Sequence, residues 1–443
     1  MNKHKQPLLE LLLIFIITLL FNLLCNEVTH DEVWNYGFAY NIYTGLIPYK
    51  DFNMVITPLY PMINALILKM FGNSFLTFHI FNAIICTIIF YYMKKQNHKS
   101  YYLIYLLLMP YSSPYYSILC LLFLYILMDL EDNHKNDYLL GFILGLTFLT
   151  KQNVGIYLCL PTLFIKNYKK IFKRIVGFLI PNIIFLIYLI KNNILYNFID
   201  YCFLGIKSFA KDNLVTEPVG IFLLITSFIY LIIKYFKTKD IKIIYLISFL
   251  LFAYPIIDRY HTMIAFIPSL GYFLNNLKLS KKILQISFLV FIIYSFSNSA
   301  YLLKYKDYTF LNDINLIKYR IIPHSKYFKE YLDTIITYLD DNKDKKIFII
   351  NKNSYLIKLE ANLPITKYDL LNDGNLGSSG STGIINEIEN ICKNNQCEFL
   401  LDEKEIFTQN HEYSQYNTSI MKYIYYKYPK KDTILDLSVY KNY

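Results

Sequence analysis

Residues 26–61 read NEVTHDEVWNYGFAYNIYTGLIPYKDFNMVITPLYP. They follow one long, mostly apolar stretch, residues 8–25, and carry an acidic pair, Asp31 and Glu32, just beyond it. An aromatic run comes next, then Gly45, Pro48, Tyr49, Lys50 and Asp51, and finally Pro58 and Pro61. Carboxylates at a membrane face are costly to keep there without a task. The stretch therefore separates a first membrane helix from all that follows and marks the face on which to look for chemistry.

Working outward, the composition is that of a polytopic membrane protein. The chain is 55% hydrophobic and 17% charged, against roughly 25% charged for an average soluble chain. Apolar runs near the ~20 residues that cross a bilayer recur as far as about residue 300. The net charge of +11 would suit a nucleic-acid binder. The basic residues instead sit in short loops between apolar spans, the positive-inside pattern, so no nucleic-acid partner is expected. The first span has the Lys3 and Lys5 flank of a signal peptide but no small-residue cleavage site, and it reads as a retained helix. Five of the seven cysteines lie in or beside apolar segments and read as small core residues. Cys392 and Cys397 are neighbours in a polar tail, where a disulfide is open to them if the tail faces an oxidising space.

The spacing predicts about eleven spans, at 8–25, 74–93, 101–116, 117–129, 138–150, 153–165, 174–191, 219–236, 242–257, 260–276 and 282–299. Basic clusters follow alternate spans: Lys94, Lys95 and Lys99; Lys166, Lys169, Lys170, Lys173 and Arg174; Lys234, Lys237, Lys239 and Lys242; Lys278, Lys281 and Lys282. Placing them with the N-terminus in the cytoplasm puts the first loop (26–73), the SSPYY turn, the loop 192–217 and the whole tail outside the cell membrane. Residues 58–71, short and opened by two prolines, read as a helix lying in the outer interface. Residues 138–165 form an apolar hairpin broken at Thr150, Lys151, Gln152 and Asn153. Polar groups at that depth must face protein or a wet cavity.

Composition shifts after about residue 300. The tail, 301–443, reads as an amphipathic helix over 324–341, strands at 346–350, 398–401 and 433–439, and helices at 384–394 and 415–427. The expected fold is an all-α polytopic membrane domain over 1–300 followed by a small extracytoplasmic α/β domain. Between the tail strands lies NDGNLGSSGSTG, residues 372–383. Its glycines are spaced GxxGxxG, and a plain loop is the reading favoured over phosphate binding.

Four groups of residues could carry chemistry. Adjacent Asp31 and Glu32 resist joint ionisation, which can make one a general base near neutral pH; an acidic helix start facing water is the alternative. Lys50 and Asp51 form a solvated turn, or the lysine holds a phosphate. Lys151 interrupts the apolar hairpin, and a lysine at such depth is a functional suspect. Asp258, Arg259, Tyr260 and His261 follow Pro255, where the arginine and histidine could clamp an anionic headgroup. His79 and His98 are isolated and read as structural or surface residues. No nucleophile triad, Walker loop or zinc-type ligand spacing stands out. No cofactor is implied, and a divalent metal stays open.

Taken together, these segments resemble the GT-C superfamily of polytopic glycosyltransferases, most of all bacterial members related to protein O-mannosyltransferases and the lipid A aminoarabinose transferase. Four stretches carry the resemblance, in order: HDEVWNYGFAYNIYTGLIPYKDF (30–52), TPLYPMINALILKMFGNS (57–74), GFILGLTFLTKQNVG (141–155) and YPIIDRYHTMIAFIP (254–268). The resemblance implies a GT-C fold, a catalytic base at Asp31 and a lipid phosphate near Lys151. Many relatives carry a further acidic residue in the short turn before the fourth span. Here that turn reads SSPYYS (112–117), which leaves Asp51 or Asp258 as possible second acids.

The activity so implied is transfer of a hexosyl or pentosyl group, with inversion, from a polyprenyl-phosphate sugar in the membrane lipid to an extracytoplasmic acceptor: a cell-envelope glycan, a lipid or a protein. Asp31 takes the acceptor proton, Glu32 orients it or the acceptor, and Lys151, Arg259, His261 and Lys50 face the donor phosphate. The rival from another class is a flippase that uses the same charges to bind a headgroup without transfer chemistry, although no paired halves are visible. Two others are a pyrophosphate-dependent polymerase or ligase and a membrane anchor for the tail.

Overall fold

The structure, a computed structural model, describes residues 5–25, 30–96, 100–132, 136–206, 215–274, 281–305, 308–310, 321–323, 325–351, 354–369, 377–403, 406 and 415–443. His98, Lys99, Lys278 and Gly374, singled out above, lie outside the described residues.

The stretches expected to span are largely helical among the described residues, although the helix in 101–116 ends at Tyr111 and that in 242–257 at Ala253. The helices are α1 (Lys5–Leu24), α2 (His30–Tyr43), α3 (Leu59–Phe71), α4 (Phe75–Gln96), α5 (Tyr101–Leu108), α6 (Tyr116–Asp132), α7 (Asp137–Thr150), α8 (Gln152–Cys159), α9 (Tyr168–Lys191), α10 (Leu195–Ile199), α11 (Pro218–Thr238), α12 (Ile241–Leu250), α13 (Arg259–Leu274) and α14 (Lys281–Tyr305). By length and composition, α4, α9 and α11 are long and apolar enough to cross a bilayer, and shorter apolar helices surround them. Outward faces of α9 and α11 are apolar, with Ile183, Ile184, Ile187, Phe222 and Ile225 all exposed. A band of that kind suits lipid, not water.

Local chemistry sets the helix limits. Asn136, Asn167 and Asp240 cap α7, α9 and α12 by accepting from the amides of Tyr138, Lys169 and Lys242, the favoured N-cap arrangement. Pro218 opens α11 where its missing N–H costs nothing. Helices α7 and α9 cross with almost no side chain between them. A Cβ on Gly141 would lie 2.0 Å from the Arg174 carbonyl oxygen, and one on Gly177 would lie 2.1 Å from that of Tyr138. The GxxxG spacing of the third quoted stretch is thus a close-packing device.

The tail holds a four-stranded sheet in the order β3-β4-β6-β5 beside a two-stranded β1-β2 ribbon. Its strands are β1 (Tyr308–Phe310), β2 (Ile321–Pro323), β3 (Lys346–Ile350), β4 (Cys397–Leu401), β5 (Lys430–Ile434) and β6 (Leu437–Lys441). Strands β3 and β4 are parallel with Phe348 opposite Phe399, and β6 runs antiparallel to both β4 and β5. The tail helices are α15 (Ser325–Asp341), α16 (Ser354–Glu360), α17 (Gly380–Cys392) and α18 (Gln415–Lys427). One face of the sheet, with Phe348, Ile350, Phe399 and Leu401, packs on Ile384, Ile388, Ile420 and Ile424. The alternate residues Ile349, Leu400 and Leu437 join the larger core that runs through the helical bundle.

The expected strand over 433–439 is instead a hairpin. Ile434 pairs with Leu437, and the chain turns at Leu435 and Asp436 with Leu435 at φ 55°. A leucine at positive φ is uncommon, and with no glycine or asparagine at the turn the sequence carries none of the usual hairpin signal. Cys392 and Cys397 are disulfide-bonded.

The tail is fastened to the first loop. The Asn41 amide on α2 donates to the Ile365 carbonyl at 2.6 Å and accepts from the Ile365 amide at 2.9 Å. The described end of the glycine segment also meets the bundle, where the Ser378 amide donates to Asp200 at 3.1 Å. That segment serves here as a contact loop between tail and helices.

Candidate active site

The site is assembled from four chain segments that meet at one end of the bundle. Asp31 stands exposed in the first turn of α2, where the helix dipole favours a carboxylate. The turn between α5 and α6 supplies Tyr111, Tyr115 and Tyr116; the break between α7 and α8 supplies Lys151; the approach to α13 supplies Asp258, Arg259 and His261.

Lys151 is placed by its neighbours. Gln152 donates to the carbonyls of both Val55 and Cys202 at 3.0 Å, and Thr57 donates to Phe148 at 2.8 Å. These bonds bind the hairpin tip to the first loop, and the polar break is what makes them available. The Lys151 ammonium then lies 4.2 Å from the Phe252 ring centroid and 4.9 Å from that of Tyr116, within the range of cation–π attraction. Asp31 and Asp258 are both within its electrostatic reach. It makes no ion pair among the described residues.

Asp258 and His261 form a tight couple. His261 Nδ1 lies 2.9 Å from Asp258 Oδ2, and the His261 amide donates to Oδ1 at 2.7 Å. Burial would raise the Asp258 carboxyl, but the hydrogen bonds and charge of His261, aided by Lys151, outweigh it and hold Asp258 below the usual carboxylate range. The imidazole stacks on Phe252 at 5.7 Å. Arg259 is exposed and donates from Nε to the Tyr111 hydroxyl at 3.0 Å, leaving its terminal nitrogens uncommitted among the described residues.

Tyrosines line the space between. Tyr115 donates to Tyr116 at 2.6 Å, Tyr260 and Ser117 share a hydrogen bond at 2.7 Å, and the Tyr115 and Tyr260 rings meet edge to face at 5.4 Å. Asp31 is within electrostatic reach of all three tyrosines. The arrangement thus sets a carboxylate and a group of cations around one aromatic wall. Such a site can accept a proton at one point and stabilise growing negative charge at another.

A crystal structure of ArnT, the lipid A aminoarabinose transferase, from Cupriavidus metallidurans and bound to undecaprenyl phosphate, is similar to this chain. Its TM-score is 0.60 at 9% identity, with 100% of this chain and 99% of that chain covered. The chain has an ArnT-like fold. No protein-family model and no curated protein matches the sequence, so the likeness is one of three-dimensional shape and concerns the fold.

Within that fold the remaining residues singled out from sequence fall elsewhere. Glu32 is fully buried and points into the bundle, with Oε1 at 2.5 Å from Nε2 of an equally buried His79. His79 is therefore neither isolated nor on the surface. Asp51 is exposed and closes the GLIPYKD turn by accepting from the Ile47 amide at 2.7 Å. Lys50 is exposed at the same turn and makes no side-chain hydrogen bond or ion pair among the described residues. The structure thus gives Lys50 no contact with the wall of tyrosines and gives Asp51 a backbone partner. The glycine, proline and aspartate of that motif shape the loop: Tyr49, at φ 66°, buries its ring and donates to the Ile56 carbonyl at 2.8 Å. Tyr111 and Phe252 went unnoticed in the sequence, and His79 was not linked there to Glu32. Tyr111 and Phe252 lie in apolar runs rich in aromatics, and only their neighbours in space mark them out.

Proposed function

We propose that this chain is a membrane glycosyltransferase that moves a sugar from a polyprenyl-phosphate donor to an extracytoplasmic acceptor and inverts the anomeric centre. The single observation that carries this reading is the gathering of Asp31, Lys151, Asp258, Arg259 and His261 from distant stretches around one tyrosine wall. The ArnT structure of the same fold contains undecaprenyl phosphate, and a lipid of that class carrying a sugar suits a site rich in cations.

In the proposed step the Asp31 carboxylate takes the proton of an acceptor hydroxyl as its oxygen attacks the anomeric carbon. The bond from that carbon to the phosphate oxygen breaks, and its electron pair stays on the phosphate. Little acid catalysis is needed for so good a leaving group. What is needed is positive charge where the departing phosphate gains negative charge, and Lys151, Arg259 and His261 supply it. Asp258 holds the imidazole in place. Leu66, Met70 and Phe71 of α3 are exposed and would face the lipid tail at the entrance. The N-terminus would lie in the cytoplasm, with the chamber and tail outside. The Cys392–Cys397 disulfide supports that orientation for the tail.

The test uses purified protein, labelled polyprenyl-phosphate sugar and a cell-envelope extract as acceptor, with no ion gradient. Wild-type protein should release polyprenyl phosphate and label the extract. Asp31→Asn should lower turnover by about 10²–10⁴-fold with an unchanged melting temperature. Near-normal turnover of the variant rejects Asp31 as the base. Lipid translocation without any product would favour the flippase instead.

A further inference from the structure

We infer that His79 is a positioning residue for this reaction: it acts through Glu32 to fix the rotation of α2, and with it the place of Asp31. The inference rests on the function proposed above.

Successive residues of a helix point about 100° apart, so a first turn that commits Glu32 to the interior directs Asp31 elsewhere. Glu32 and Tyr36 are one turn apart on α2 and share a face, and on α4 that face meets Phe75, Phe78 and His79. The Tyr36 ring centroid lies 5.2 Å from Phe75 and 5.5 Å from Phe78, and its hydroxyl donates to Asn73 at 2.7 Å. Phe75 in turn packs on the His79 ring at 4.8 Å. Ring contacts of this kind tolerate small rotations. The Glu32–His79 contact tolerates them less, because the two polar groups lie 2.5 Å apart with both side chains fully buried, and a rotation that parted them would break this pairing in the interior, which is costly. It also falls in the same helical turn as Asp31.

Other groups enclose the two carboxylates. Tyr60 of α3 is within electrostatic reach of Glu32. Asp31 faces Lys151, Tyr115, Tyr116 and Tyr260. Adjacent in sequence, the two acids thus have separate partners: one is held in the bundle and the other is presented to the chamber.

His79→Phe keeps a ring of similar bulk and removes both nitrogens, whereas His79→Gln restores an N–H near the place of Nε2. For folded protein, kcat of His79→Phe should fall by about 10- to 100-fold, the scale of a small misplacement of a reacting group, while KM for the lipid donor changes by less than about twofold. His79→Gln should recover most of kcat. Glu32→Met should behave like His79→Phe, which keeps the test open if either variant fails to fold. A second readout needs no transfer: the rate at which a membrane-impermeant maleimide labels Asp31→Cys should shift several-fold when His79→Phe is added. If the wild type transfers no sugar, the functional reading fails while the labelling still decides the geometry. Wild-type kcat in the folded fraction of the variants, or an unchanged labelling rate, overturns the inference.

Discussion

The two ends of the helical bundle treat their lysines and arginines in opposite ways. At the end away from the chamber, acids and bases are matched: Glu10 with Lys94, Asp129 with Lys95, Glu131 and Asp137 with Arg174, and Asp132 with Lys242. Arg174 is the most enclosed of these, with its nitrogens 2.9 Å from Glu131 and 3.0 Å from Asp137. At the chamber end Lys151 rests on two aromatic rings, and Arg259 engages a tyrosine through one nitrogen. A cation held by rings keeps its hydrogen-bonding capacity for something else, and a cation held by carboxylates has used it. The lesson is that pairing, more than residue type, separates charges that hold the bundle together from charges that await a ligand.

If that contrast is right, neutralising one cation at each end should have different consequences. Lys151→Met should lower turnover of folded protein by about 10²–10³-fold, the scale for removing one electrostatic contact to the transition state, with little change in melting temperature. A steady-state assay beside thermal unfolding in detergent checks both halves. Arg174→Met should do the reverse. It strands two carboxylates in a buried setting, which costs about 3–5 kcal/mol of stability, and activity per folded molecule should stay close to wild type.

A milder effect is expected in the tail, where Glu398 is matched like the far end of the bundle. Burial alone would raise its carboxyl, but hydrogen bonds from Tyr338, Tyr443, Lys345 and Lys441 hold it at about 2, from an ordinary 4.5. Because the folded value lies below the unfolded one, the stabilisation is fully present above pH 4.5 and is lost as pH falls toward 2. Hydrogen exchange of β4 and β6, corrected for intrinsic rates, should therefore quicken across that window in wild type and show a weaker pH dependence in Glu398→Gln.

Much of this was legible in the sequence because membrane helices advertise themselves. The apolar runs, the polar break at 150–153 and the GxxxG spacing each correspond to a structural element, since lipid demands continuous apolar surface and internally satisfied backbone. The convergence of Asp31, Lys151 and the 258–261 segment followed from putting them on one side. What the sequence hid were pairings between distant residues. Nothing near His79 announces Glu32, 47 positions earlier, and nothing near Asn41 announces Ile365. Lys50 and Asp51 misled for a related reason: a charged turn looks the same whether its aspartate awaits a substrate or closes on its own backbone, as Asp51 does on Ile47. The hairpin at Leu435 was masked because residues 433–439 are rich in strand formers and carry no glycine or asparagine at the turn.

The clasp between Asn41 and Ile365 joins groups 324 residues apart. A ribosome makes the asparagine long before its partner. Throughout that interval α2 must do without the tail's contact. A chain stopped before Ile365 would carry every chamber residue named here yet lack this one fastening of the first loop.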